Sequence, residues 1–179
     1  MKVYVIAHGQ TPLDKQGRLH GQKVDASLAL SGKLAAKQIA KQLKGKGVER
    51  IYSSPLKRAT ETAAIIAKEI QAPIEVRQEL LPWDIGRMSG ARAASVKPLL
   101  DFFSARPNRP IPGGEAKAKV LDRYRAFVSK LKQKKGAKPV AISGHSQHTL
   151  GLDYATRGGD AAKVKMIGGT PGEVKAIEV

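Results

Sequence analysis

The chain has 179 residues and carries 32 lysines and arginines against 15 acidic residues, which gives a formal net charge of +17 at pH 7. This length suits a single domain over residues 1–179 with a sizeable core. The absence of cysteine excludes disulfides, thiol nucleophiles and cysteine metal sites, and no apolar run approaches the roughly 18 residues of a membrane helix. Because the first residues also lack a signal-peptide pattern, we expect a soluble, cytoplasmic protein without membrane association.

The excess of positive charge favours phosphorylated substrates, nucleic acids or other anionic partners. A solvated lysine surface explains the same charge, since the lysines are spread along the chain rather than clustered. Aromatic residues, which stack on the bases of single strands, make up only 4% of the sequence. Nucleic-acid binding is therefore an alternative that the composition does not favour.

The first predicted element is a strand from Val3 to Ile6, whose unbroken apolar run is typical of a strand covered on both faces. It continues through Ala7 into His8 and Gly9. Open α/β sheets bind ligands beyond the carboxyl ends of their strands, so His8 is a candidate site residue. Gly9 would let the backbone approach a ligand closely. The alternative is a histidine in an ordinary strand-to-loop turn.

The next elements are a loop, a helix and a strand. Residues 12–31 are polar and predict a long loop of the kind that often carries function. Ser31 is expected to cap a helix that runs to about Lys44 and stops at Gly45. A second strand is predicted from Val48 to Ser53.

The following helix contains the second candidate residue. Ser54 is a good N-cap, Pro55 fits the first helical position, and Pro73 prevents the helix from continuing. Arg58 then lies in the first turn, where the helix dipole disfavours a cation unless an anion binds nearby. Because sequences tend to break local rules at functional sites, Arg58 is a candidate anion ligand. The alternative is an ordinary surface arginine.

The middle of the chain predicts a short strand, a loop around the only tryptophan, a helix interrupted at Pro98, a second long loop and a strong amphipathic helix. These elements cover residues 74–76, 79–90, 91–105, 107–114 and 115–132, respectively. The basic run over residues 132–138 is expected to be a solvated helix end.

The last apolar strand, Pro139 to Ser143, leads into Gly144, His145 and Ser146, and a helix is predicted over residues 146–155. His145 therefore lies near a helix N-terminus, where backbone N–H groups favour anions. Residues 172–179 predict an edge strand. Two strand ends thus each supply a histidine and a third leads to an arginine, so their convergence in a parallel sheet predicts an anion site.

These stretches resemble the motifs of the histidine phosphatase superfamily, the phosphoglycerate mutase-like fold, in its small phosphatase branch. The residues that carry the resemblance are His8-Gly9-Gln10-Thr11, Ser53-Ser54-Pro55-Leu56-Lys57-Arg58-Ala59, Gly113-Gly114-Glu115 and Gly144-His145-Ser146. They occur in the family's order and cover most of the chain. The resemblance implies a three-layer α/β/α sandwich with a mostly parallel central sheet and helices on both faces.

The resemblance also implies roles for individual residues. His8 would be the nucleophile that forms a phosphohistidine intermediate, while Arg58 and His145 clamp the phosphoryl oxygens. No metal or other cofactor is implied, because the two clamping residues would stabilise the charge themselves. Gly9 and Thr11 would belong to the phosphate pocket, and Gln10, Asp14 and Ser146 to the substrate rim.

Two positions depart from the family pattern. Ala7 stands where the first motif has an arginine that contacts the phosphate, and losing one such contact typically costs about 10²–10³ in rate. Pro82 stands at the usual position of the general acid, and Asp84 is the nearest group able to protonate the leaving oxygen, with structural capping as its alternative. The candidates to replace the missing arginine are Arg18, Lys23 and Arg87.

The expected function is a phosphatase, impaired by Ala7, that acts on a phosphorylated small molecule or a phosphohistidine protein. The alternative is a pseudophosphatase that binds phosphorylated or acidic partners without turnover. Mutase activity is less expected, because a chain of 179 residues leaves little room for the insertions of the large mutases. Substrate choice is expected to lie in the loops over residues 12–31 and 87–114.

Overall fold

The computed structural model describes residues 1–134, 138–166 and 169–179. Within these ranges five strands form one sheet; they are β1 (Lys2–Ala7), β2 (Arg50–Ser53), β3 (Ile74–Val76), β4 (Val140–Gly144) and β5 (Val174–Glu178). Their order across the sheet is β3-β2-β4-β1-β5. All neighbours pair in parallel except β5, which runs antiparallel to β1 at the edge.

In the described part of the chain, six α-helices surround the sheet; they are α1 (Pro12–Lys15), α2 (Leu30–Leu43), α3 (Lys57–Ile70), α4 (Ala93–Ser104), α5 (Lys117–Lys132) and α6 (Gln147–Arg157). Short 3-10 turns lie at Gln78–Leu80, Gly86–Met88 and Ala161–Lys163. Within the described ranges, no helix is long and apolar enough to cross a lipid bilayer.

Alternate residues of the central strands enter two separate cores. Val3 and Val5 of β1 pack with the inner faces of α5 and α6, whereas Tyr4 and Ile6 pack with those of α2 and α3. Because both faces of the strand are covered, the whole segment is apolar. The predicted three-layer α/β/α sandwich with a mostly parallel sheet is thus confirmed.

Two predicted helix caps are wrong. Helix α2 begins at Leu30 with Ala29 as its N-cap, and the hydroxyl of Ser31 instead donates a hydrogen bond to Oε1 of Gln10 at 2.8 Å. Helix α3 begins at Lys57 rather than at Pro55, because the Ser54 hydroxyl lies 3.0 Å from Nε2 of His145. In both cases a tertiary contact takes the hydroxyl that local capping would have used.

Two further boundaries differ from the prediction. The expected loop over residues 12–31 opens with α1, because Thr11 and Asp14 form a capping box around its first turn. Helix α4 continues through Pro98, which removes one backbone hydrogen bond, while burial of Leu100 and Phe103 holds the rest of the helix in place. The predicted basic run over residues 132–138 includes 135–137, which lie outside the described residues.

Candidate active site

Three strand ends converge on one cavity. Strands β1 and β4 pair with Ala7 opposite Gly144, so His8 and His145 follow at the same level of the sheet. Their ring centroids lie 5.4 Å apart. The turn after the neighbouring strand β2 brings Arg58 to the same place, and all three side chains line a cavity of about 340 Å³. That volume is within the range of small-molecule sites.

The imidazole of His8 is fixed in one tautomer by its neighbour. Its Nδ1 lies 2.9 Å from the carbonyl oxygen of Gly9, which can only accept, so Nδ1 carries the proton and Nε2 carries a lone pair. Burial, and then repulsion by Arg58, lowers the pKa of His8 from its usual 6.5 to about 4. Near neutral pH the ring is therefore uncharged, and the lone pair of Nε2 is available.

Close packing beneath this histidine explains the glycine that follows it. A Cβ at Gly9 would lie 2.4 Å from the carbonyl oxygen of Gly32 on helix α2. The backbone N–H of Gly9 also donates to the Thr62 hydroxyl at 3.0 Å. These contacts hold the His8-Gly9 segment against α2 and α3 and so position the ring.

Arg58 is almost completely buried, at 1% exposure, so the alternative of a surface arginine is wrong. It donates hydrogen bonds to the carbonyl oxygens of Gly21 and Val24 at 2.9 and 3.2 Å. The carboxylate of Asp25 lies 4.0 Å away. Burial lowers the pKa of Arg58 to about 10, against the opposing effects of Asp25 and Asp14, so the group keeps its charge at neutral pH.

His145 is held by two partners that sequence reasoning assigned elsewhere or missed. Its Nε2 lies 3.0 Å from the Ser54 hydroxyl, and its backbone N–H donates to Nδ1 of His148 at 3.1 Å. The pKa of His145 is lowered well below its usual value by burial and by Arg58. The His148 ring also fills the space beside Gly144, where a Cβ would lie 1.8 Å from Nδ1.

The predicted pocket and rim residues are distributed unevenly. Gln10, Asp14 and Ser146 line the cavity, whereas Gly9 and Thr11 are absent from its described lining. The Thr11 hydroxyl donates to Oδ2 of Asp14 at 2.8 Å and also lies 2.7 Å from a ring nitrogen of His20. Thr11 therefore contacts two lining residues, Asp14 and His20, without lining the cavity itself.

The predicted general acid Asp84 is not brought to the site. Its Oδ1 accepts a hydrogen bond from the backbone N–H of Gly86 at 2.9 Å, which is the capping role considered as the alternative. Pro82, Trp83 and Ile85 line the cavity, but Asp84 is absent from the described part of the lining. Its carboxylate stabilises the loop instead.

Of the candidates to replace the missing arginine, Arg18 alone belongs to the described lining, and it donates to the carbonyl oxygen of Gly90 at 2.7 Å. Lys23 instead donates to the carbonyl oxygen of Gly113. Arg87 packs beside that same glycine. The two residues therefore lie together at the loop that carries Gly113.

All four histidines of the chain lie in one row. The ring centroids are 5.5 Å apart for His20 and His8, 5.4 Å for His8 and His145, and 5.3 Å for His145 and His148. Sequence reasoning missed His20 and His148, although the scarcity of histidine was a usable signal. Among the described residues, no group of three or more His, Asp or Glu side chains is placed to hold a metal ion.

A sequence model described as the histidine phosphatase superfamily (branch 1) matches residues 3–178 of the chain. The probable phosphoglycerate mutase GpmB of Salmonella paratyphi B is 28% identical over 149 residues, which is 80% of this chain and 69% of that protein.

Two solved phosphatases share the fold. The mycobacterial glucosyl-3-phosphoglycerate phosphatase in complex with VO3 superposes with a TM-score of 0.87 at 22% identity, covering 99% of this chain and 92% of that one. The alpha-ribazole phosphatase of Shigella flexneri gives a TM-score of 0.81 at 20% identity, covering 100% and 91%.

Proposed function

Because the chain belongs to the histidine phosphatase superfamily, we propose that it hydrolyses a phosphomonoester or a phosphorylated histidine through a phosphohistidine on Nε2 of His8. The observation that carries this proposal is the meeting of a neutral imidazole, the buried cation of Arg58 and the ring of His145 at one cavity. Phosphoryl transfer depends mainly on such positioning and on positive charge.

In the first step, the lone pair on Nε2 of His8 attacks phosphorus, and the ester oxygen leaves with the electrons of the broken P–O bond. The carbonyl oxygen of Gly9 stabilises the N–H on the far side of the ring, which becomes positive. The leaving oxygen takes a proton from a titratable group of the cavity. The described lining offers His20 and His145 for this transfer, once binding of the phosphoryl dianion has given one of these rings a second proton.

In the second step, water attacks phosphorus and the N–P bond breaks. Its electrons return to Nε2 of His8, and phosphate is released. Arg58 stabilises the charge on the phosphoryl oxygens in both steps, because a buried guanidinium acts at a low local dielectric.

The substrate proposed here is a phosphorylated small molecule. The cavity of about 340 Å³ accommodates a compact ester. Two structural neighbours are named as phosphatases of small phosphorylated molecules, which agrees with this class. Residues 12–31 and 87–114 supply part of the wall and are the proposed source of specificity.

Ala7 favours a second candidate function, a pseudophosphatase that binds phosphorylated ligands without turnover. Ala7 is buried and lines the cavity beside His8, so it supplies no charge at the position where the family motif has arginine. We expect the loss of that contact to slow the reaction by about 10²–10³.

Steady-state hydrolysis of p-nitrophenyl phosphate by the wild type, Ala7→Arg and His8→Gln separates these functions. A phosphatase shows turnover in the wild type, faster turnover in Ala7→Arg and none in His8→Gln. Mass spectrometry after an alkaline quench should find the phosphoryl group on His8. Turnover in Ala7→Arg alone would favour the pseudophosphatase. Absence of turnover and of a phosphorylated His8 in both would contradict the enzymatic proposal.

A further inference from the structure

We propose that His20 is a second cation of this site, which takes up a proton when a phosphoryl dianion binds and uses Asp14 as its counter-ion. The inference rests on the proposed function, since it concerns the anion bound at His8. It assigns a ligand-binding role to a residue that the sequence pattern did not single out.

His20 has the position that this role requires. Its side chain is 8% exposed, and it lines the same cavity as His8, Arg58 and His145. Its ring lies edge-on to that of His8, with an interplanar angle of 77° and 5.5 Å between centroids. The rings of His20 and His145 thus both lie next to the ring of His8, which would carry the phosphoryl group.

The hydrogen bonds around His20 determine which of its nitrogens is free. The Thr11 hydroxyl has one proton, and it donates that proton to the Asp14 carboxylate at 2.8 Å. Nε2 of His20, 2.7 Å from the same hydroxyl oxygen, must then be the donor of that contact. The neutral ring consequently carries its lone pair on Nδ1, which lies 3.8 Å from Oδ1 of Asp14.

Uptake of a proton at Nδ1 would complete an ion pair that is already in place. The new N–H would face the Asp14 carboxylate, while Nε2 would keep its bond to Thr11. No rearrangement of the wall is needed, because Asp14 is held by the backbone N–H and the hydroxyl of Thr11.

The charged groups around His20 explain why the proton arrives with the anion. Burial and the positive charge of Arg58 lower the pKa of His20 to about 4, against the opposing effects of Asp14 and Asp25. His20 is therefore neutral in the empty cavity at neutral pH. A bound dianion would add two negative charges and offset the repulsion from Arg58, so the pKa of His20 rises.

His145 is the competing proton acceptor, and its surroundings are less suitable. The groups that act on its charge are Arg58, His148, His8 and His20, all of which oppose protonation. Its ring contacts the neutral Ser54 hydroxyl. His20 is thus the ring with a carboxylate to stabilise its charged form.

The direct test is imidazole ¹⁵N NMR of the wild-type chain with and without inorganic sulfate. Sulfate stays a dianion across the titration range, so any change in protonation belongs to the protein. The chain has four histidines, so the spectrum contains four ring systems. Saturating sulfate should raise the pKa of His20 from about 4 to about 7, so that at pH 6 the ring converts from the Nε2–H form to the doubly protonated form. Asp14→Asn should abolish most of that shift.

The NMR outcomes separate this inference from the proposed function. If sulfate shifts the signals of His8 while His20 stays neutral, the inference is wrong and the proposed phosphate site stands. If His145 takes up the proton instead, the inference is also wrong. If sulfate binds nowhere near His8 and p-nitrophenyl phosphate is not hydrolysed, the inference and the proposed function both fail.

Kinetics provide an independent readout. His20→Gln keeps an N–H donor for the Thr11 hydroxyl but cannot become charged, and we expect it to lower kcat/KM by about 10²-fold. Adding a permanent cation with Ala7→Arg should restore most of that loss. Ala7→Gln, which adds similar bulk without charge, should not restore it. A His20→Gln enzyme with unchanged kcat/KM and pH profile would overturn the proposal.

Discussion

Two polar clusters lie beside the loop around Trp83 (residues 79–90), and they differ in how closely their positive charge is paired with a carboxylate. In one cluster, both carboxylate oxygens of Glu115 accept hydrogen bonds, from Arg123, from Gln22 and from the backbone N–H of Asp84. The indole N–H of Trp83 donates to the carbonyl oxygen of Glu115 at 3.0 Å. Glu115 and Arg123 thus neutralise each other, and we call this pair the closed cluster. Neither residue belongs to the described lining of the cavity.

In the other cluster, the histidine row with Arg58, the positive charge has a more distant counter-ion. The nearest carboxylate to Arg58 lies 4.0 Å away, against 2.5 Å between Arg123 and Glu115. Within the described residues both arginines have an unpartnered Nε, so that feature does not distinguish the clusters. The two clusters differ instead in the distance from the arginine to its nearest carboxylate. A buried cation beside a cavity, whose nearest described carboxylate is 4.0 Å away, is where an anionic ligand is expected.

We expect the largest effect on activity from His8→Gln. We expect kcat for p-nitrophenyl phosphate to fall by about 10⁴-fold, because the proposed nucleophile is lost. The free energy of unfolding, measured by urea denaturation, should change by less than about 1 kcal/mol. Residual turnover close to that of the wild type would exclude His8 as the nucleophile.

Arg58→Lys should lower kcat/KM by about 10²–10³, because a lysine keeps the charge but loses the paired geometry of the guanidinium. Arg123→Lys is the matched control in the closed cluster. It should reduce stability and leave kcat/KM of the folded protein unchanged. Equal kinetic losses in the two variants would remove the distinction between the clusters.

Glu115→Gln should lower the stability and leave kcat unchanged, which is the opposite of the effect expected for His8→Gln. It removes the charge that neutralises Arg123, and breaking this partly buried pair should cost about 2 kcal/mol of unfolding free energy. The kcat of the folded fraction should stay the same. A fall in kcat without a loss of stability would place Glu115 in the reaction instead.

The two clusters should also differ in their response to acid. The folded protein lowers the pKa of His8 to about 4 and that of His148 to about 3, mainly by burial, so below pH 6.5 the unfolded chain binds more protons. Stability should be complete above pH 6.5 and fall with decreasing pH, by up to about 1.4 kcal/mol per pH unit for each ring. Urea denaturation at pH 7 and pH 5 measures this slope.

Glu115→Gln is the control for that titration, since it alters the closed cluster and leaves the histidines in place. Its slope between pH 7 and pH 5 should match that of the wild type. A wild-type stability that does not change between these values would contradict the burial of neutral rings.

Asp84→Asn should have the smallest effect. The amide oxygen still accepts the hydrogen bond of Gly86, so stability should change by less than about 1 kcal/mol. With Asp84 outside the described lining of the cavity, we expect kcat to stay within about threefold of the wild type. A loss of the acid-dependent part of the kcat profile would restore Asp84 as the general acid.

The sequence was sufficient to predict the sheet and the residues at its strand ends. Apolar runs identify strands covered on both faces, and parallel strands bring their carboxyl ends together, so His8 and His145 were predictable. Arg58 was found because it breaks the local rule for a first helical turn.

The remaining parts of the site depend on contacts between distant residues. Ser54 satisfies the local pattern of an N-cap, but its hydroxyl contacts His145, 91 residues further along the chain. His148 is visible as a support only once it packs beside Gly144. Asp84 has the right chemistry for an acid, and only the fold shows that its carboxylate faces Gly86.

A crystal structure with bound vanadate tests most directly whether His8, Arg58 and His145 meet around one anion. We predict vanadium bonded to Nε2 of His8, with oxygens in contact with the guanidinium of Arg58 and the ring of His145. Vanadate bound elsewhere, or bound at His8 without contact to Arg58 and His145, would contradict this account.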